Sequence, residues 1–196
     1  MNTEPTADTP DAIMADAGTE SAETLGRIVT RWAGLLASEH FPRGEHAALR
    51  RLDPAAPSAP AFWRLLFEHV PEQRRRTSES ESRWALVLHG LALMSRPNAS
   101  AHRTGAGIGA VLAEAGFSEL RLNRLLRARG EGFRQMVPRV CRYLAAKNAA
   151  VDWVRFARWL LADEARAEEH RRQVARDYFR ARSRPEAEED TSGTDG

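Results

Sequence analysis

Apolar residues recur at intervals of three and four through the middle of the chain, and this period constrains the fold more than any other feature. The set Trp153, Phe156, Ala157, Leu160 and Leu161 is spaced i, i+3, i+4, i+7 and i+8. That spacing is typical of the buried face of an amphipathic α-helix. No segment alternates apolar and polar residues as a half-buried β-strand does. The sequence therefore predicts an all-α fold, built as a helical bundle.

Proline and glycine divide the helical pattern into two parts. We predict two packed helical subdomains, residues 24–98 and 104–182, joined by a flexible connector within residues 95–109. A central core helix should begin at the capping box Ser78-x-x-Glu81. Before the core helix we predict helices over residues 24–38 and 44–52 and a third that starts at Pro60. After it we predict helices over residues 108–115, 118–129, 137–147 and 152–182.

Both ends of the chain are acidic. Residues 1–23 contain six acidic residues, residues 185–196 contain five, and neither segment contains Arg or Lys. With few large apolar groups they cannot offset the entropy of ordering, so we predict two disordered acidic tails. The body between them, residues 24–184, holds all 29 basic residues against 16 acids, a formal excess of 13. Such a body attracts polyanions, of which nucleic acid is the commonest.

The basic residues are almost all arginine, since Lys147 is the only lysine. The planar guanidinium suits phosphate oxygens, but a GC-rich genome also favours arginine codons. Only the positions of the arginines can therefore indicate a binding surface. Between Leu120 and Val151, seven arginines and one lysine face a single acid, Glu131. Helical spacing places these arginines opposite the apolar residues: Arg121, Arg124 and Arg127 on one helix, and Arg139 and Arg142 on the next. This pattern predicts an exposed surface that binds phosphates without reading sequence.

No motif indicates catalysis, a metal site or a cofactor. Gly105-x-Gly107-x-Gly109 differs from the dinucleotide-binding spacing, and the six histidines form no ligand cluster. Asp163-Glu164 and Glu168-Glu169 are interpreted as solvated partners of nearby arginines, and Cys141 as a buried apolar residue. The chain has no apolar run of membrane-spanning length and no signal segment at its N-terminus, so we expect a cytoplasmic protein with no membrane partner.

Six blocks stand out in their order along the chain. They are Arg43-Gly44-Glu45-x-Ala47-Ala48-Leu49-Arg50-Arg51, Pro60-Ala61-Phe62-Trp63-Arg64-Leu65, Gly107-Ile108-Gly109-x-x-Leu112, Glu119-x-Arg121-x-x-Arg124-Leu125-Leu126-Arg127-Ala128, Val151-Asp152-Trp153, and Arg171-Arg172 followed by Tyr178-Phe179. In this order the blocks resemble the CasB family, the small subunit of the type I-E CRISPR Cascade complex.

The resemblance implies a non-catalytic subunit of an RNA-guided surveillance complex that acts in antiviral defence. Its implied partners are other Cascade subunits, CRISPR RNA, both strands of target DNA and a second copy of the chain. The family contacts these strands through basic residues, which would stabilise the R-loop. From the arginine faces and the resemblance together, the predicted nucleic-acid-binding residues are Arg43, Arg50, Arg51, Arg121, Arg124, Arg127, Arg139, Arg142, Arg171 and Arg172.

Two other interpretations stay open. The chain could be a free-standing regulator with a helix-turn-helix in residues 112–129, where Gly116 lies in the turn; strong preference for one operator would identify it. It could also be a helical enzyme or scaffold with incidental charge. A further hypothesis is that the eleven acids of the tails compete with nucleic acid for the basic body.

Overall fold

A computed structural model describes the backbone of residues 10–184 and the side chains of residues 23–184. Within this range the protein consists of α-helices and one short 3-10 turn, Glu72–Arg74, without a β-strand, so the all-α prediction is confirmed. The helices are α1 (Pro10–Ala37), α2 (Arg43–Arg50), α3 (Pro60–His69), α4 (Ser78–Met94), α5 (Ile108–Glu114), α6 (Glu119–Arg127), α7 (Gly130–Ala146), α8 (Trp153–Leu161) and α9 (Glu164–Arg182).

Helix α4 is the central core helix, as the sequence predicted. Every residue in the range 84–94 is buried, because α1, α2, α7 and α8 all pack against α4. Its capping box lies one position earlier than predicted. The Thr77 hydroxyl accepts from the Ser80 amide at 3.1 Å, and the Ser80 hydroxyl accepts from the Thr77 amide at 3.1 Å. A serine therefore takes the position that Glu81 was expected to hold.

Helix α1 begins at Pro10, well before the predicted start at residue 24. The predicted start of the first helix is therefore too late in the sequence, whereas the disordered tail predicted for residues 1–23 stays a prediction. Proline is well suited to a first helical turn, where its missing N–H has no intrahelical partner to lose, and alanine is frequent in the residues that follow. The predictions for residues 1–9 and 185–196 lie outside the described residues.

Two boundaries in the second half also differ from the prediction. The single helix expected over residues 152–182 is two helices, α8 and α9, because Ala162 is extended and the Asp163 carboxylate accepts from the Arg166 amide at 2.9 Å as an N-cap. Local capping by Asp163 thus competes successfully with continuation of the helix. Helix α7 begins at Gly130 instead of residue 137 and includes Pro138 in its interior.

The close approach of α5 to α9 explains the glycine motif. A Cβ on Gly109 would lie 2.1 Å from the Val174 carbonyl oxygen, and one on Gly107 would lie 3.0 Å from the Asp177 carboxylate. Only glycine allows this backbone contact. The packing of α5 against α9 therefore accounts for Gly107 and Gly109.

Hydrogen bonds hold the segment between α4 and α5 against the start of α8, whereas the sequence predicted a flexible connector here. The Arg103 amide donates to the Val151 carbonyl, and the Val151 amide donates to the Ala101 carbonyl. Asp152, which caps α8 through two backbone amides, also accepts from the Gly105 amide at 3.0 Å. The buried apolar residues form one hydrophobic cluster that includes both predicted subdomains.

Candidate nucleic-acid interface

Helix α6 is amphipathic in the way the sequence predicted. Leu122 and Leu125 are buried, while Arg121, Arg124 and Arg127 are exposed. None of these three arginines forms an ion pair with a described acidic residue. Their charge is left to interact with solvent or with a ligand.

Helix α7 continues this basic surface. Arg139 and Arg142 are exposed and unpaired with described acids, opposite the buried residues Val140, Cys141 and Leu144. The two helices meet at Tyr143: the Arg121 guanidinium lies 5.7 Å from the centre of the Tyr143 ring. The Tyr143 hydroxyl in turn donates to the Ala115 carbonyl at 2.8 Å, which fixes the ring between the two helices.

A groove lies between the segment that follows α2 and the basic face of α7. Arg51, at the C-terminal end of α2, lines it together with Arg139 and Arg142 of α7. These residues meet because α2 and α7 both pack against α4. The groove has a volume of about 360 Å³. We name Arg51, Arg121, Arg124, Arg127, Arg139 and Arg142 together the arginine surface.

A histidine that the sequence analysis did not select lies at the base of the groove. His89 of α4 is 3% exposed and lines the groove. Its Nδ1 lies 2.9 Å from the Leu49 carbonyl oxygen, and since a carbonyl only accepts, Nδ1 carries the hydrogen. Burial lowers the pKa of His89, and the positive charge of Arg142 lowers it further; the Leu49 hydrogen bond and Asp53 act in the opposite direction.

Arg43 and Arg50 lie two helical turns apart on one face of α2, and both are exposed without a described ion-pair partner. The only acid of this helix, Glu45, is directed to α3, where its carboxylate accepts from both terminal nitrogens of Arg64. This bidentate contact lowers the pKa of Glu45. Glu45 therefore does not neutralise the arginines of its own helix.

Arg171 does not belong to an exposed surface, and this prediction is wrong. Its side chain is 4% exposed and lies 2.8 Å from the Glu164 carboxylate and 3.3 Å from that of Glu168. It also lies 5.9 Å from the centre of the Phe133 ring and 3.4 Å from the Ala128 carbonyl oxygen. Arg171 thus joins α9 to the turn between α6 and α7.

The same two glutamates also pair with a second arginine. Arg129 lies 2.9 Å from Glu164 and 2.8 Å from Glu168, so two arginines share two carboxylates. The remaining predicted residue, Arg172, is exposed on α9 beside Glu168 and Glu169, in a cleft that only α9 residues line.

A second group of arginines was not predicted from the sequence. Arg155 and Arg158 of α8 line one cleft against α9, and Arg180 and Arg184 line an adjoining cleft with Arg155. Their spacing of three and four residues was visible in the sequence. Acids accompany both groups: Glu114 and Asp177 line the clefts of this second group, where Arg155 also lies 3.6 Å from Asp152, and Asp53 and Glu131 line the groove of the arginine surface.

The described residues offer little for other chemistry. Among residues 23–184, no three His, Cys, Asp or Glu side chains are placed to hold a metal ion. Burial raises the pKa of the Cys141 thiol to about 12, which agrees with its interpretation as a buried apolar residue. In the described part of the chain, no helix combines the length and hydrophobicity that crossing a membrane requires.

The fold is shared with two solved structures. One is a chain of the crystal structure of E. coli Cascade bound to a PAM-containing double-stranded DNA target, with a TM-score of 0.60, 22% identity, and 78% of this chain and 97% of that chain covered. The other is CasB from Thermobifida fusca, with a TM-score of 0.63, 17% identity, and 79% and 97% covered.

The sequence comparisons give one result that identifies the family. A search of curated proteins finds no match. The family of CRISPR-associated protein Cse2, however, matches residues 45–179, which is more than half of the chain and includes the groove, α6, α7 and most of α9. The chain therefore belongs to the CRISPR-associated protein Cse2 family.

Proposed function

We propose that this protein is a non-catalytic subunit of a Cascade-type CRISPR surveillance complex. Two findings support the assignment: membership of the Cse2 family, and a fold shared with a chain of the E. coli Cascade structure over nearly the full length of that chain. Its partners are the other Cascade subunits, CRISPR RNA, target DNA and a second copy of itself. The complex acts in antiviral defence.

Within the complex, the arginine surface holds nucleic-acid strands by their phosphates. The observation that carries this proposal is that six exposed arginines, from three helical elements, have no ion pair with a described acid. Other arginines of the chain are neutralised: Arg64 by Glu45, and Arg129 and Arg171 by Glu164 and Glu168. Asp53 and Glu131 line the groove, but neither forms an ion pair with an arginine of the arginine surface.

Phosphate contacts of this kind carry no sequence information, which suits a subunit that must work with every guide. Exchange of a DNA duplex for an RNA–DNA hybrid is nearly balanced in free energy. Additional backbone contacts to either strand therefore determine whether the opened DNA persists. The proposed role of the arginine surface is to supply those contacts and so stabilise the R-loop.

A co-purification experiment tests the assignment. The full chain is tagged and expressed with the other subunits of its CRISPR operon and a guide RNA, and the purified material is analysed for RNA and protein. We expect guide RNA and the partner subunits in fixed proportion. Recovery of the chain alone, with no RNA and no partner subunit, would contradict the assignment.

A binding experiment tests the role of the surface. Three single-stranded DNAs of unrelated sequence should bind with affinities that agree within a few-fold. The turn between α5 and α6 contains Gly116 at φ +76°, so a helix-turn-helix arrangement is sterically available. Preference for one duplex operator by roughly 1000-fold or more would therefore favour a transcriptional regulator and contradict our proposal.

A further inference from the structure

We propose that the groove between the α2–α3 connector and α7 is a discrete site for one phosphodiester group of a bound strand, and that His89 takes up a proton when this site is filled. The inference rests on the proposed function, because it assigns one particular phosphate contact within the arginine surface. It adds a residue, His89, and a coupled proton that the proposed function does not require.

The charges around the groove favour an anion. Arg51 contributes from the end of α2, and Arg139 and Arg142 contribute from one face of α7. All three are exposed and unpaired with described acids, so an anion between them can be contacted from two sides. A volume of about 360 Å³ leaves room for a phosphate group and bound water.

His89 supplies a hydrogen-bonding atom at the base of this groove. Its Nδ1–H is committed to the Leu49 carbonyl, so the ring is held in one orientation. The only hydrogen bond of His89 with a described residue is this one through Nδ1, so Nε2 is left for a ligand. In the neutral ring Nε2 is an acceptor, and phosphate oxygens are also acceptors, so the two repel until Nε2 is protonated. The protonated ring donates to a phosphate oxygen and adds a charge-assisted hydrogen bond.

The surrounding charges set the direction of the coupling. In the free protein, burial and the charge of Arg142 keep the pKa of His89 below its ordinary value. A bound phosphate screens the arginines and stabilises the imidazolium, so it raises that pKa. At a pH between the pKa of His89 in the free protein and its pKa in the complex, binding is therefore accompanied by uptake of a proton. The affinity increases as the pH falls through that range. The charged groups that face His89 across the groove are Arg51, Asp53, Glu131, Arg134, Arg139 and Arg142.

The experiment measures affinity and proton uptake together. A single-stranded DNA of mixed sequence is titrated into the full chain from pH 5.5 to pH 8 at constant ionic strength, by calorimetry in two buffers with different ionisation enthalpies. For the wild-type chain we expect proton uptake on binding. The total gain in affinity from high to low pH should be about tenfold for each unit by which the pKa of His89 in the complex exceeds its pKa in the free protein. The variant His89→Asn keeps a donor near Nδ1 for Leu49 and should bind without the pH-dependent gain.

The matched control is His170→Gln, since His170 likewise has a lowered pKa but lies half-buried on α9, outside the groove. This control should retain the proton uptake. If His89→Asn does not fold, the imidazole resonances of the wild-type chain, followed by NMR with and without DNA, should show a higher pKa for His89 in the complex. The inference is overturned if the wild-type chain binds DNA without proton uptake, or if His89→Asn takes up protons as the wild type does. Failure of the proposed function is distinct, because then the wild-type chain does not bind DNA at any pH.

Discussion

Arg171 and Arg172 are consecutive in the sequence but lie in opposite environments: Arg171 is 4% exposed among Glu164, Glu168 and Phe133, while Arg172 is exposed on the outer side of α9. The difference follows from the 100° rotation between neighbouring helical residues. The first arginine is part of the fold, and only the second is available to a ligand.

Replacement of these two residues should separate stability from binding. Arg171→Ala removes two ion pairs, a contact to the Ala128 carbonyl and packing on Phe133, so we expect the free energy of unfolding to fall by about 1–3 kcal/mol. Arg172→Ala should change it by less than about 0.5 kcal/mol. Urea denaturation measures both. Equal losses in the two variants would contradict the assignment of Arg171 to the core.

The contact of Gly109 with α9 makes a second prediction about stability. A methyl group at Gly109 meets the Val174 carbonyl oxygen, which is backbone and cannot rotate away, so Gly109→Ala should destabilise the fold by at least about 1–3 kcal/mol. Gly34→Ala is the control, because Gly34 lies within α1 with open space around its Cα. That substitution should stabilise the protein by about 0.5–1 kcal/mol. Thermal and urea unfolding of both variants test the packing of α5 on α9, and a neutral Gly109→Ala would contradict it.

Three histidines with lowered pKa values predict how stability depends on pH. The pKa values of His46, His89 and His170 are lowered in the folded protein, in each case mainly by burial. Below an unfolded-state pKa of about 6.5, the unfolded chain therefore binds more protons than the folded chain, and the free energy of unfolding decreases as the pH falls from 7 towards 5. The pKa of Glu45 is also lowered in the folded protein. A carboxylate of this kind loses its stabilising contribution as the pH falls, so Glu45 does not oppose the change.

This pH dependence is measured by urea unfolding at fixed ionic strength from pH 5 to pH 8. His89→Asn should show a smaller decrease than the wild-type chain. A free energy of unfolding that is constant over the whole interval, or that increases at acid pH, would show that these side chains are not buried in solution.

The acidic ends of the chain give a prediction about binding. Residues 185–196 contain five acids and no basic residue, and they follow Arg184 directly. Removal of this segment should tighten binding of single-stranded DNA at low salt, with a smaller effect at high salt because screening already weakens the competition. The control is the full-length chain with the five acids changed to Asn or Gln, which should behave like the deletion. An unchanged affinity in both would dismiss competition by the tail.

The fold was predictable from the sequence wherever apolar periodicity dominated. Helices α4 to α6 lie within a few residues of their predicted bounds, because leucine spacing and the Gly116 turn define them. The errors occurred where a local hydrogen bond outweighed the periodic pattern, as at Asp163, which divides the last predicted helix. The helix predicted over residues 137–147 starts too late, since α7 begins at Gly130 and continues through Pro138.

The exposed arginines could be predicted for each helix separately, but the contacts between helices that bring them together could not. Spacing placed Arg121, Arg124, Arg139 and Arg142 correctly on exposed faces. It could not show that Arg51 meets α7 across a groove, because that contact depends on how two helices pack against a third. Nor could spacing distinguish Arg171 from the exposed arginines, since its partners on α9 are one and two turns away and its Phe133 contact is distant in sequence.

The salt dependence of DNA binding tests the central claim most directly, since each lost phosphate contact to a single strand should reduce the slope of log affinity against log salt by about 0.7. The double variant Arg121→Ala/Arg124→Ala should therefore have a slope smaller by about 1.4 with an unchanged melting temperature. The control pair Arg27→Ala/Arg31→Ala removes the same charge from exposed positions on α1, which packs against α4 and α8, and should keep the wild-type slope. Equal slopes for all three proteins would contradict a phosphate-binding arginine surface on α6 and α7.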